Sequence, residues 1–242
     1  MTVQAKSYPL PLAPASLGAL TPCSHGSGCP LGVDVPAMTD ALVRGDRPAA
    51  WSTARAVNPF ASTCGHGCHA PCERSCRRRH FGAPVGIATL EAHAAGLEPP
   101  RLAVPNGPCT SPHDVRSVAG LVGLAPDVAM RAPRADTRVA VIGAGVAGLA
   151  CAHDLALLGH RCTLFDAADE PGGLLTAALP AFRFPVASAR AECAAILAMG
   201  GLELQSRYRI QNSADIRALL AGEFDAVFLA LGASWPRYAL FG

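Results

Sequence analysis

The stretch Arg138-Val-Ala-Val-Ile142 has the continuous apolar pattern of a buried strand and runs directly into Gly143-Ala-Gly145-Val-Ala-Gly148. A helical segment follows to about Leu158, and Gly159-His160 closes it. Arg161-Cys-Thr-Leu-Phe165 is the next strand, ending at Asp166, 23 positions beyond Gly143. A GxGxxG triplet alone says little, but a strand before it, a helix after it and an acid closing the next strand commit the segment to a βαβ dinucleotide-binding unit. Gly143 permits the tight turn, Gly145 lets the backbone approach a pyrophosphate, and Gly148 lets the helix pack on the strand. The helix N-terminus offers free N–H groups to the phosphates. Asp166 is placed to accept hydrogen bonds from the ribose hydroxyls. Glu170-Pro-Gly172-Gly173-Leu174 lies just beyond, a sequence more typical of flavoproteins than of nicotinamide enzymes.

The α/β texture continues with a helix over Val186–Met199, a strand near Leu202–Gln205, a helix over Ala214–Leu220 capped by Ser213, and a strand over Ala226–Leu231. Upstream, residues 97–137 hold seven prolines and read as a linker, with a helical turn or two near Val115–Leu124. Before the linker the chain reads as helical. Pro36–Arg44 begins with a first-turn proline and stops at Gly45, and Pro48–Val57 ends before Asn58-Pro59. The expected division is therefore a helical domain over 20–96, a linker over 97–137 and a Rossmann-like segment over 138–242.

Six of the ten cysteines fall in residues 23–76. The chain has no basic start followed by an apolar run, and its longest apolar stretch, Val139–Ala152, is too short to span a membrane. A cytoplasmic location with reduced thiols is expected, where clustered cysteines point to metal or redox chemistry. A net charge of +2 gives no bulk signal for nucleic acid. Cys64, Cys68, Cys72 and Cys76 follow at every fourth position, with a Cys29-Pro30 pair upstream. Structural zinc usually takes CxxC knuckles, of which the chain has none, and the wider spacing suits an iron–sulfur cube. His66, His69 and His80 keep zinc open as the alternative. Gly65, Gly67 and Pro71 argue against one helix displaying all four thiols. No acid–base or nucleophile constellation is recognisable, so no catalytic side chain is named.

Cys29-Pro with Val33-Asp-Val-Pro36, Asn58-Pro-Phe60, Cys64-Gly-His-Gly-Cys68-His-Ala-Pro-Cys72-Glu-Arg-Ser-Cys76 and Pro84-Val-Gly-Ile-Ala-Thr-Leu-Glu91 together resemble the N-terminal iron–sulfur domain of the glutamate synthase small subunit and of dihydropyrimidine dehydrogenase. The stretch Val139–Phe184, with Arg183-Phe-Pro185, is similar to the FAD domain that follows in those proteins. The resemblance implies an all-helical iron–sulfur domain followed by a partial Rossmann-like FAD-binding domain. It implies one [4Fe–4S] cluster on Cys29, Cys68, Cys72 and Cys76, with Cys64 a bystander. On the FAD side it implies roles for Gly143, Gly145, Val146, Ala147 and Gly148 at the pyrophosphate, and for Asp166 where the family commonly has Glu. Gly173 and Leu174 match the loop beside the flavin, Arg183 a cofactor-contacting arginine, and Ile210 an apolar residue near the adenine.

Two departures from the family pattern shape the expected function. Of the second cluster held by larger relatives only Cys23 and Glu91 remain, and Cys23 stands six positions before Cys29 where the family usually has four. The second glycine fingerprint, that of an NADPH domain, is absent from these 242 residues. The expectation is an electron-transfer subunit of an oxidoreductase complex, with a partner carrying the missing NAD(P)H and FAD half, no nucleic-acid partner and no membrane span. A small chain of an NADPH-linked glutamate synthase-type reductase and a zinc-stabilised nucleotide-binding adaptor are the alternatives.

Overall fold

The computed structural model describes residues 29–96, 137–182 and 184–232. Its first part is helical. Helices α1 (Val35–Arg44) and α2 (Arg47–Arg55) start alike, with an Asp-x-Pro sequence. Asp34 accepts from the Ala37 N–H at 3.0 Å, and Asp46 from the Ala49 N–H at 3.1 Å. Gly45, left-handed at φ +72°, ends α1. Helix α2 stops at Arg55, two residues before the expected Val57, because Asn58 is drawn into a turn in which its side chain accepts from the Phe60 N–H at 3.1 Å. Then come α3 (Ala61–Gly67), α4 (Pro71–Arg74), a 3-10 turn over Arg77–His80 and α5 (Ile87–Ala95). The core of this part is Met38 surrounded by alanines, among them Ala41, Ala50, Ala61 and Ala94. Such small side chains let helices approach closely. At the α3–α5 crossing a Cβ on Gly65 would lie 2.5 Å from the Ala92 nitrogen, so only glycine fits there.

The second part is a parallel four-stranded sheet of order β3-β2-β1-β4, built from β1 (Arg138–Ile142), β2 (Arg161–Phe165), β3 (Leu202–Gln205) and β4 (Ala226–Leu229). Val139 pairs with Cys162 on one side and Ala226 on the other. Helices α6 (Val146–Leu157), α7 (Leu174–Ala177), α8 (Val186–Leu197) and α9 (Ser213–Ala221) connect the strands. Against expectation, Asn212 rather than Ser213 caps α9. Asn212 and Asp215 form a reciprocal capping box, so the helix starts one residue earlier, at Ser213. Strand β4 also ends two residues earlier than expected, and α8 stops at Leu197 rather than Met199. On one face of the sheet, Val139, Val141 and Leu164 pack with Leu149, Ala152, Cys193 and Ile196. On the other, Ala140, Ile142 and Phe165 pack with Phe224. The fold is a helical region followed by a Rossmann-like α/β region.

The two parts meet through buried contacts. Phe60, from the helical part, is 3 % exposed and belongs to the core beneath the sheet. Glu192 on α8 is 1 % exposed and accepts from Arg55 Nη2 at 2.9 Å, Ser62 N at 2.8 Å and Thr63 N at 3.0 Å. The expected linker, including Val115–Leu124, lies outside the described residues apart from Thr137. Among the described residues no helix is long and apolar enough to cross a membrane.

Candidate functional site

The dinucleotide turn follows β1 as its spacing predicts. Gly145 is the N-cap of α6, and no side chain caps that end. Val146 and Ala147 are exposed, so the first turn of a twelve-residue helix presents its N-terminus to solvent. Gly148 is required on packing grounds: a Cβ there would sit 1.8 Å from the Gly143 carbonyl oxygen. At Gly145 the nearest atom to an added Cβ is Gly173 Cα at 3.9 Å, an ordinary van der Waals contact, so packing does not demand glycine there. An open, uncapped helix start with glycine at its mouth fits a dinucleotide pyrophosphate.

Asp166 is held by two backbone donors. Its Oδ2 accepts from the Ala144 N–H at 2.6 Å and its Oδ1 from the Ala168 N–H at 2.7 Å. The acid thereby ties the end of β2 to the glycine turn, and each oxygen retains lone-pair capacity for a further donor. The Pro-Gly-Gly stretch is stitched to the same turn. Gly172 and Gly145 form an isolated parallel bridge, and the Gly172 N–H donates to the Ala144 carbonyl at 2.7 Å. Gly173, at φ +55°, brings its backbone against that of Gly145 and leads into α7, leaving Leu174 exposed. Two glycine motifs separated by a whole strand thus form one wall. Ile210 sits apart from them, on the edge of the Phe165–Phe224 cluster. Arg183 lies outside the described residues.

The cysteine run is divided by its own breakers, as expected. Helix α3 ends at Gly67, Cys68 is extended, Ala70 is left-handed, and α4 starts at Pro71. Cys68 is exposed, Cys29 and Cys72 are half-buried and Cys76 is buried. The Ala70 N–H donates to Cys68 Sγ at 3.3 Å. Burial raises the Cys72 thiol pKa, and the neighbouring Cys29 and then Cys68 add to it, while a backbone hydrogen bond at Glu73 opposes. These electrostatic couplings put Cys29, Cys68 and Cys72 in one neighbourhood, although Cys29 is remote from the others in sequence. Cys64 is placed differently. Its thiol donates to Asn58 Oδ1 at 3.8 Å, it packs against the core under the sheet, and burial first of all raises its pKa. His66 spends Nδ1 on the Ser62 carbonyl at 2.7 Å. Among the described residues no three Cys, His, Asp or Glu side chains converge on a single-ion site.

Sequence reasoning did not find the junction. Glu192 lies in a helix of mixed composition, and nothing in its neighbours marks it as the acceptor for Arg55 and for the start of α3. Nor was Phe184 singled out. It is 4 % exposed and faces Gly67, where an added Cβ would lie 3.5 Å from its ring. Phe184 therefore lies beside the turn that leads into Cys68.

Residues 20–99 match the family described as dihydropyrimidine dehydrogenase domain II, 4Fe-4S cluster, and residues 141–189 match the NAD(P)-binding Rossmann-like domain. The NADP(+)-dependent formate dehydrogenase subunit beta of Moorella thermoacetica is 33% identical over 210 residues, which cover 84% of this chain and 28% of that protein. The NADPH-Fe(3+) oxidoreductase subunit beta of Geobacter sulfurreducens is 32% identical over 85% of this chain and 27% of its own length. The glutamate synthase [NADPH] small chain of Mycobacterium tuberculosis is 32% identical over 86% of this chain and 38% of its own. The chain thus spans less than two fifths of each of these relatives. The chain joins an iron–sulfur domain of the dihydropyrimidine dehydrogenase domain II family to an NAD(P)-binding Rossmann-like domain, as a homologue of the glutamate synthase small chain and of these oxidoreductase beta subunits.

Proposed function

We propose that the chain is an electron-transfer subunit of an oxidoreductase complex, holding one [4Fe–4S] cluster on Cys29, Cys68, Cys72 and Cys76 and FAD at the Gly143–Gly148 turn. The observation that carries this reading is the buried contact between the helical part and the α/β part. The turn entering Cys68 packs on Phe184, and Glu192 ties α3 to α8, so the thiols and the dinucleotide turn are held on one framework. A bound flavin and an iron–sulfur cube supply the exchange of two-electron for one-electron chemistry. The chain's own residues place them. Four thiolates would suit the cube, since soft sulfur ligands favour iron–sulfur clusters. Gly145 and the exposed start of α6 receive the pyrophosphate, and Asp166 the ribose. Cys64, held by Asn58, stays outside the ligand set.

A nicotinamide dinucleotide at the same turn is the second reading, favoured by the description of the family matched over residues 141–189. The Gly172-Gly173 wall against Gly145 supports flavin in preference. Strand β4 supports the partner part of the reading. It stands at the sheet edge with Phe228, Leu229 and the following Leu231 exposed, although parallel strands are normally covered on both faces. Further polypeptide, carrying the rest of a flavin and NAD(P)H unit, would cover this edge. The location proposed is the cytoplasm, where thiols stay reduced and available to a cluster.

Anaerobic purification with iron, sulfide and flavin analysis tests the proposal. About four irons and about one flavin per chain are expected. Colourless protein with a single zinc contradicts it, and bound nicotinamide without flavin selects the second reading.

A further inference from the structure

The last residue of the cysteine run opens a surface that neither cofactor uses. Arg74, Arg77, Arg78, Arg79 and His80 are all exposed and flank Cys76, which is itself only 6 % exposed. The acid among them, Glu73, is turned away: its Oε1 accepts from the Ala88 N–H at 2.9 Å and pins α4 to the start of α5. Arg74, Arg78 and Arg79 form no ion pair among the described residues. Two guanidiniums are nevertheless held in place, with Arg78 Nε donating to the Ala83 carbonyl at 3.1 Å and Arg79 Nη1 to the Arg74 carbonyl at 3.0 Å. Carbonyl partners fix their positions and leave their charge uncompensated. Phe81 follows directly, 75 % exposed, at the end of the 3-10 turn.

Preorganised arginines next in sequence to an exposed aromatic have the composition of a protein-binding surface, in which arginine and aromatic residues dominate affinity. We infer that this face docks the acidic surface of a protein electron carrier, bringing the carrier to the cluster at Cys76. The inference rests on the proposed electron-transfer function and names its partner by chemistry. The positive field is local, since the whole chain carries a net charge of only +2, which favours an acidic protein patch over a nucleic acid. Phe81 supplies the apolar centre that phosphate-backbone binding would not need.

The test uses the full chain with an acidic plant-type ferredoxin as probe, measuring both binding and the rate of electron exchange as ionic strength is varied. The parent should bind, with association slowing steeply as salt rises. Arg78→Glu with Arg79→Glu should slow association roughly tenfold or more at low salt and flatten its salt dependence. Phe81→Ser should weaken binding while leaving the salt dependence intact. Iron content, visible absorption and reduction of a small neutral dye should not change in any variant. Equal ferredoxin binding by parent and charge-reversed protein overturns the inference. So does salt-sensitive binding of a short DNA duplex without ferredoxin binding. Loss of iron from the parent would overturn the proposed function instead, and ferredoxin binding is read independently of it.

Discussion

Glu192→Ala removes a carboxylate that joins the two parts of the molecule. Its partner Arg55 would remain with a side chain 3 % exposed and no counter-charge, and the Ser62 and Thr63 N–H groups would lose their acceptor at the start of α3. Removing one member of a buried ion pair typically costs about 3–5 kcal/mol, because a charge is left in a poorly solvated place. Orphaning two helix N-terminal donors points the same way, though the terms overlap, so a loss of about 4 kcal/mol is expected. Glu192→Gln keeps one acceptor oxygen and should cost about 2–3 kcal/mol. Combining it with Arg55→Met removes both charges and should recover part of that loss, giving a coupling energy of about 2 kcal/mol. Urea denaturation reads these values. Fluorescence of Trp51, which stacks beside the Arg55 guanidinium at 5.7 Å, reports the junction itself. If Glu192→Ala lies within about 0.5 kcal/mol of the parent at equal m, the carboxylate is not buried against Arg55 in solution and the joined framework is wrong.

Three further outcomes follow from single sites. Gly148→Ala should destabilise the α/β region because its Cβ collides with the Gly143 carbonyl oxygen, whereas Gly145→Ala should fold normally and lose flavin affinity; thermal melts and flavin titration separate the two. Burial, reinforced by Glu192 and opposed by the Asn58 hydrogen bond, raises the Glu91 pKa in the folded protein above its unfolded value of 4.5. The folded state then binds more protons than the unfolded one above pH 4.5, so stability should fall as pH rises through that window. Glu91→Gln, which can still accept from Asn58, should abolish this fall in pH-dependent denaturation. Burial also pushes Cys151 up to about 11, Cys162 to about 12 and Cys193 to about 11. In cluster-free protein at pH about 8, iodoacetamide mapped by mass spectrometry should therefore label the exposed Cys68 well before these three.

Much of the fold was legible because its elements are set by local signals. The first-turn prolines, the Gly45 stop and the run from Arg138 to Asp166 all act locally, and β1 and β2 fall where the apolar runs place them. The short helices α4 and α7 gave no such signal. A single turn lacks periodicity, and each exists because a glycine or left-handed residue before it turns the chain. The site was legible where a motif compresses chemistry into one stretch, as in the glycine turn. It was not legible where partners come from far apart. Glu192 reaches back 130 positions to Ser62, and Phe184 meets Gly67, and no periodicity in either segment encodes the other. The anchoring of Asp166 was hidden for the same reason, since Ala144 becomes its donor only when β1 and β2 pair.

Iron bound by Cys72→Ser, compared with Cys64→Ser, tests most directly that the thiols near Cys29 hold a cube while Cys64 serves the core. Anaerobically reconstituted Cys72→Ser should lose most of its iron and its broad visible absorbance, whereas Cys64→Ser should retain about four irons per chain. Equal bleaching by both substitutions, or full iron retention by Cys72→Ser, would contradict that assignment.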